Sequence, residues 1–268
     1  MNKLIEIAIK ASIEAGKAIM EIYDTDFDIE YKDDNSPLTT ADNASHQIIS
    51  THLESTGLPI LSEEGKHLSY DARKDWKQFW LVDPLDGTKE FIKKNGEFTV
   101  NIALIDQGEP VAGVIYMPVT DVLYVGSTNG GAFKLAGTSA FKGSIEELRK
   151  KAINLPEIKT GNAYTVVASR SHLSTETAEF IENLKKDHTN IQTVSKGSSL
   201  KLCLIAEGAA DIYPRFAPTM EWDTGAGHAI VNAAGGRVVL AEDESIALTY
   251  NKENLLNPWF IAERERDN

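Results

Sequence analysis

Trp80-Leu81-Val82-Asp83-Pro84-Leu85-Asp86-Gly87-Thr88-Lys89-Glu90-Phe91 is the stretch from which the rest of this 268-residue chain is read. An apolar strand runs into two carboxylates three positions apart, then a glycine and a hydroxyl. Pro84 forces a turn between the acids, so that Asp83 and Asp86 face one point with the Leu85 carbonyl between them. Gly87 permits tight backbone geometry, and Thr88 with Lys89 opens a short helix whose free N–H groups favour an anion. Oxygen ligands converging on one point suit Mg²⁺, and the adjacent anion site suits phosphate. A solvated acidic turn is the competing reading, and the flanking segments weigh against it.

Upstream, Leu58-Pro59-Ile60-Leu61-Ser62-Glu63-Glu64 is a second apolar strand ending in carboxylates, with Glu63 twenty positions before Asp83. Downstream, Met220-Glu221-Trp222-Asp223 enters an Ala/Gly-rich helix that ends at Gly235-Gly236. A carboxylate at a helix start is stabilised by the dipole and stays ionised, as a metal ligand must. Alone, Glu63 or Asp223 reads as an ordinary strand-end charge or helix cap. With the central turn they form a carboxylate cluster suited to two metal ions. Other aspartate-rich chemistry fits worse. An aspartyl-phosphate phosphatase needs one residue between its acids where two intervene here, and an EF-hand needs acids at alternating positions before its glycine.

These segments resemble the Mg²⁺-dependent, lithium-sensitive inositol monophosphatase family, in Ser62-Glu63-Glu64, in Asp83 to Thr88 and in Trp222-Asp223. Within that family the chain is similar to the bacterial 3′(2′),5′-bisphosphate nucleotidase branch. The finer likeness lies in Lys89-Glu90-Phe91, Asn95 to Ile105, Ser169-Arg170-Ser171-His172, Gly197-Ser198-Ser199-Leu200-Lys201, Tyr213-Pro214-Arg215 and Gly227-His228-Ala229. The resemblance implies two or three Mg²⁺ ions held by Glu63, Asp83, the Leu85 carbonyl, Asp86 and Asp223, with Asp83 bridging. It makes Glu63, Thr88 and Asp42 catalytic, with Asp42 either orienting Thr88 so that Thr88 polarises the nucleophilic water or helping to bind a third, weaker metal. Substrate contacts would come from Glu63, Leu85, Asp86, Gly87, Thr88, His172, Ser198, Lys201, Arg215 and Asp223, with Lys196 near them. The implied reaction removes the 3′-phosphate of 3′-phosphoadenosine 5′-phosphate, with 3′-phosphoadenosine 5′-phosphosulfate as a further substrate and a place in sulfate assimilation. An inositol or sugar monophosphatase is the rival of the same class. A non-catalytic nucleotide and metal sensor is the rival of another class, which the intact acid set opposes.

A net charge of −13 argues against general binding of a nucleic-acid polymer, which needs basic surface to displace counterions. It leaves room for a small phosphorylated nucleotide, because a bound cation reverses the local sign. The single cysteine, Cys203, excludes an internal disulfide and fits a reducing cytoplasm. It lies in the apolar run Leu202-Cys203-Leu204-Ile205 and reads as a core thiol. No apolar run is long enough for a transmembrane helix, and the N-terminus lacks a signal layout. A cytoplasmic protein is expected. Peripheral contact with the cytoplasmic face of the inner membrane stays open, as do monomer and homodimer.

Leu4 to Tyr23 carries apolar groups at helical intervals, and Thr40-Ala41-Asp42 reads as a cap and acidic first turn of a helix ending at Gly57. Phe98 to Ile105, Pro110 to Tyr116, Val122 to Ser127 and Gly131 to Leu135, joined by tight turns, predict an antiparallel meander. The character changes near Thr138. Ser144 to Lys159 reads as a charged connector, after which strands and helices alternate. His228 is expected to pack on its own helix. The fold class is α+β in residues 1–137, built on an antiparallel sheet, and α/β with a mixed sheet in residues 138–268. The family resemblance implies that these halves form a layered αβαβα sandwich closing one cleft.

Overall fold

Phe79 to Val82 and Val100 to Ile105 are apolar almost without interruption, a pattern that a strand tolerates only when both of its faces are covered. A computed structural model describes residues 1–27, 29–31, 37–66, 68–140, 143–158, 163–168 and 174–265 and shows what covers them. The first sheet has the order β3-β4-β5-β6-β7-β8-β9. Its strands are β3 (Ile60–Ser62), β4 (Gln78–Asp86), β5 (Thr99–Asp106), β6 (Glu109–Met117), β7 (Val122–Ser127), β8 (Gly131–Ala136) and β9 (Ile153–Leu155). Only β3 and β4 pair in parallel; the remaining neighbours are antiparallel. A small hairpin of β1 (Ile29–Tyr31) and β2 (Pro37–Thr39) precedes them.

Alternation along β4 and β5 then assigns the faces. Trp80, Val82, Val100, Ile102 and Leu104 pack with Ile5, Ile9, Ile19, Ile49 and Leu53 of α1 (Asn2–Tyr23) and α2 (Thr40–Glu54). Phe79, Leu81, Ala103 and Ile105 face the other way, onto Leu202, Ile205, Ala226 and Ile230. Those residues belong to α7 (Leu200–Glu207) and α8 (Glu221–Ala233). Gly113 in β6 lets α8 lie directly on the sheet, because a Cβ there would meet the Ala226 carbonyl oxygen at 2.2 Å.

The second sheet, on the far side of α7 and α8, has the order β11-β10-β12-β14-β13. Its strands are β10 (Tyr164–Val167), β11 (Ile191–Val194), β12 (Ile212–Arg215), β13 (Arg237–Leu240) and β14 (Phe260–Glu263). Its outer face, with Val166, Ile212 and Ile261, receives Ile181 and Phe180 of α6 (Thr175–Leu184). The layers are therefore helix, sheet, helix, sheet, helix, as expected, with a mixed second sheet. Two short helices, α3 (Tyr70–Arg73) and α4 (Thr88–Ile92), flank β4.

Three local expectations need correction. Helix α2 is capped by Thr39, one residue earlier than read, with Asp42 closing a capping box as its third residue. The supposed connector after Ser144 forms α5 (Ile145–Lys151) and then β9, which returns to the first sheet beside β8. The chain leaves that sheet after Leu155. The turn expected at Pro84 is instead an irregularity inside one continuous strand. Cys203 is buried in the core, and His228 is buried with Nδ1 2.9 Å from the Tyr250 hydroxyl.

Candidate active site

Residues 83 and 86 of a regular strand would point to opposite faces, since side chains alternate. In β4 they do not. Asp83 pairs with Asn101 and Asp86 with Thr99, so three steps on β4 oppose two on β5 and one residue is bulged out. The extra residue reverses the parity and sends both carboxylates toward the start of α8. Pro84, which cannot donate to the ladder, occupies the bulge, and its carbonyl accepts from Ser45 Oγ of α2 at 2.7 Å.

The next turn is equally constrained. Gly87 has φ of +97°, and a Cβ there would meet Ser198 Oγ at 2.6 Å. From it starts α4, anchored by Phe91 among Tyr23, Phe27 and Phe98 at ring separations of 5.1, 4.8 and 5.2 Å. Burying Phe91 leaves Lys89 and Glu90 of the same turn to line the cleft above. Thr88 Oγ1 donates to Asp42 Oδ1 at 3.1 Å, with the Leu85 carbonyl 3.4 Å away. Asp42 is buried, and its other oxygen accepts from the Thr39 N–H and hydroxyl at 2.8 and 2.7 Å.

Glu63 follows β3, its N–H continuing the parallel ladder to the Val82 carbonyl at 3.1 Å. Asp223 is the third residue of α8, its Oδ2 accepting from the Met220 N–H at 2.9 Å. One ligand oxygen each from Glu63, Asp83 and Asp223 lies within 4.8 Å of the others. Asp86 is not among these three; its Oδ2 accepts from Ser199 Oγ at 2.6 Å and from Asn101 Nδ2 at 3.3 Å. Burial, then the charges of Glu63, Asp86, Asp223 and Asp42, holds the Asp83 carboxyl well above the usual carboxylate range. Burial, and next the Asp86 charge, pushes Asp223 up to about 8, opposed by the Met220 N–H and by Arg215. An all-oxygen cluster centred on the buried Asp83, in which Asp83 and Asp223 resist ionisation, fits a hard divalent cation, which would offset the repulsion and keep the acids deprotonated.

The cleft above this floor encloses about 650 Å³. Its walls carry Lys89, Lys93, Lys196, Lys201 and Arg215, with Tyr213 and Phe260 behind them. Lys201 Nζ donates to the Ser198 carbonyl at 3.1 Å. Arg215 donates to the Pro218 carbonyl at 3.0 Å, and among the described residues its buried Nε has no hydrogen-bond partner. Lys196 is already paired with Glu97 at 3.1 Å. Ser198 has a left-handed φ of 52°, and its hydroxyl donates to the Asp86 carbonyl.

Residues 1–265 match the inositol monophosphatase family. The chain belongs to that family. It is 45% identical over 263 residues to the 3′(2′),5′-bisphosphate nucleotidase CysQ of Salmonella typhimurium, covering 96% of this chain and 98% of the relative. The CysQ of Escherichia coli is 46% identical over 252 residues, covering 92% and 94%. The crystal structure of CysQ from Bacteroides thetaiotaomicron, a bacterial member of the same family, superposes with a TM-score of 0.91 at 49% identity, covering 100% of this chain and 99% of that one. Inositol monophosphatase family enzymes are metal-dependent, in keeping with the acidic floor.

Of the residues singled out from sequence, the structure brings Asp42, Glu63, Asp83, Leu85, Asp86, Gly87, Thr88 and Asp223 to the floor of this cleft or directly beneath it, and Ser198, Lys201 and Arg215 to its wall. His172, with Ser169, Arg170 and Ser171, lies outside the described residues. Ser199 and Asn101 were not read as functional, although a polar Asn101 inside the run Val100 to Ile105 was the available signal. Among the described residues no helix is long and apolar enough to cross a membrane.

Proposed function

We propose that the chain is a Mg²⁺-dependent 3′(2′),5′-bisphosphate nucleotidase that removes the 3′-phosphate of 3′-phosphoadenosine 5′-phosphate, giving AMP and phosphate. The observation that carries the reading is that one cleft joins an acidic floor, centred on the buried Asp83, to a basic wall. The names of its similar relatives support the same substrate. Glu63, Asp83, Asp86, Asp223 and the Leu85 carbonyl would hold two or three Mg²⁺ ions. Bound there, the metal would neutralise the phosphate oxygens and acidify a water. The Gly87 and Thr88 N–H groups at the start of α4 receive the equatorial oxygens of the 3′-phosphate. Because Thr88 Oγ1 donates to Asp42, its lone pairs face the water and accept a hydrogen from it, holding the oxygen in line with the leaving ribose oxygen. Glu63 takes the proton as the water attacks phosphorus; the bond to the ribose oxygen breaks, and that oxygen gains a proton from solvent and leaves as the 3′-hydroxyl of AMP. Lys201 and Arg215 hold the 5′-phosphate, Arg215 through a planar fork suited to two phosphate oxygens.

An inositol or sugar monophosphatase would have no use for a second cationic patch beyond the metal floor. A sensor would have no need of the Thr88–Asp42 pair. The test is phosphate release in Mg²⁺ buffer from 3′-phosphoadenosine 5′-phosphate, 3′-phosphoadenosine 5′-phosphosulfate, inositol 1-phosphate and fructose 1,6-bisphosphate at matched concentrations. The adenosine bisphosphate should turn over fastest. A preference for inositol 1-phosphate would replace this reading with a monophosphatase, and binding without turnover of any of them would replace it with a sensor.

A further inference from the structure

Asp83, Asp86 and Asp223 each have one carboxylate oxygen fixed by a donor of the chain, and the donors differ in kind. Asp83 Oδ1 accepts from the Leu85 N–H at 3.1 Å and Asp223 Oδ2 from the Met220 N–H at 2.9 Å, both close in sequence. Asp86 Oδ2 accepts from side chains alone: Ser199 Oγ, from the loop entering α7, and Asn101 Nδ2, from β5. Among the described residues no donor is hydrogen-bonded to Asp86 Oδ1.

The direction of each bond in this chain of contacts is determined. Thr99 Oγ1 donates to Asn101 Oδ1 at 2.9 Å. The Asn101 amide therefore turns its NH₂ to Asp86 and to Ser199 Oγ, at 3.3 and 2.8 Å; the flipped amide would set its oxygen against a carboxylate. With its lone pair engaged by Asn101, Ser199 directs its single proton to Asp86 Oδ2 at 2.6 Å, in preference to the Asp223 carbonyl at 2.9 Å. A hydrogen bond to a charged acceptor is the stronger of the two. Thr99, Asn101 and Ser199 are 0%, 1% and 4% exposed, so no water substitutes for a lost partner without cost.

We infer that Asn101 and Ser199 are positioning residues that occupy Asp86 Oδ2 and present Oδ1 alone to a divalent cation, making the metal affinity of the floor depend on a loop from the other half of the molecule. The inference rests on the proposed metal-binding role of Asp86. Ser198 reinforces it by binding the Asp86 carbonyl, and Glu97 by accepting from the Gly197 N–H at 2.7 Å, so the 197–199 loop is fastened to the bulged strand and to the segment after α4.

Mn²⁺ titration followed by the electron paramagnetic resonance of the free ion tests this without turnover. Ser199→Ala and Asn101→Leu should each weaken Mn²⁺ binding roughly ten- to a hundredfold, the range expected for partners that orient a ligand. The double variant should lose little more than either alone, since both act through one oxygen. Ser199→Thr, which keeps the hydroxyl, should bind close to wild type. Thermal melting of each metal-free variant checks that it folds. Wild-type affinity in folded Ser199→Ala would overturn the inference while leaving the metal reading intact. A wild-type protein that binds no Mn²⁺ would overturn both.

Discussion

The two sides of the metal floor are held by different means. Asp42, Asp83 and Asp223 accept from backbone N–H groups three, two and three positions away. Asp86 is held by side chains 15 and 113 positions away. The first three carry their geometry within their own short segments, a helix start or the bulged strand, and would keep it wherever that segment was placed. The fourth is correct only when the first sheet, α7 and α8 are assembled. Local contacts therefore define the ligands, and tertiary contacts complete the site. The cleft walls differ in a parallel way: the acidic floor is centred on the buried Asp83 with Glu63, Asp86 and Asp223 half-buried around it, while the basic wall is more open and part of it is already neutralised, as in the Lys196–Glu97 pair.

Changes at the floor should have the largest effects. Asp83→Asn keeps shape but removes the central charge, and should lower kcat/KM by at least about 10³-fold, beyond the loss expected of a partner that only orients a ligand. It should also alter stability without metal. Asp83 and Asp223 bind their protons more tightly in the folded protein than in the unfolded chain, so they stabilise the fold at acid pH and that contribution is lost as pH rises. For Asp223 the window runs from the ordinary 3.8 to about 8. Chelated wild type should lose melting temperature across that window, Asp83→Asn should lose less, and added Mg²⁺ should restore the wild type. A flat profile for chelated wild type would mean that the floor carries no such repulsion.

Thr88→Ala should follow, with kcat lower by roughly 10² and KM little changed, as expected of a contact made in the transition state. Asp42→Asn should lose less, and the double variant should not be additive if the pair acts as one unit; strict additivity would separate them. Arg215→Ala should cost roughly ten- to a hundredfold in kcat/KM on 3′-phosphoadenosine 5′-phosphate, from a charge-assisted contact of about 1.5–3 kcal/mol, and far less on 3′-AMP. An equal loss on both would make Arg215 a support of the fold or floor. The smallest effect belongs to Lys196→Ala, about two- to threefold, because an exposed and already paired lysine contributes at most about 1 kcal/mol. A loss as large as that of Arg215→Ala would place Lys196 on the phosphate and dissolve its pair with Glu97.

What could be read from sequence follows the same division. Asp83 to Thr88 was legible because its geometry is local, and the meander because tight turns such as Gln107-Gly108 and Asn129-Gly130 separate β-rich runs. Strand β9 was not, since two of its three residues are exposed and only Leu155 is buried, too little pattern to mark a strand. The bulge at Pro84 was half-legible: a break was expected, but its parity depends on the register against β5. Asn101 and Ser199 acquire meaning only when β5 and the loop before α7 meet at Asp86, which no spacing along the chain reveals.

The central claim is that the acidic floor takes the 3′-phosphate while the basic wall retains the other. Phosphorus NMR of the products formed from 3′-phosphoadenosine 5′-phosphate tests it directly. The account predicts 5′-AMP and inorganic phosphate, with no 3′-AMP at any point in the time course. Accumulation of 3′-AMP, or of both monophosphates together, would mean that the substrate binds in the opposite sense or in no fixed sense, and would contradict it.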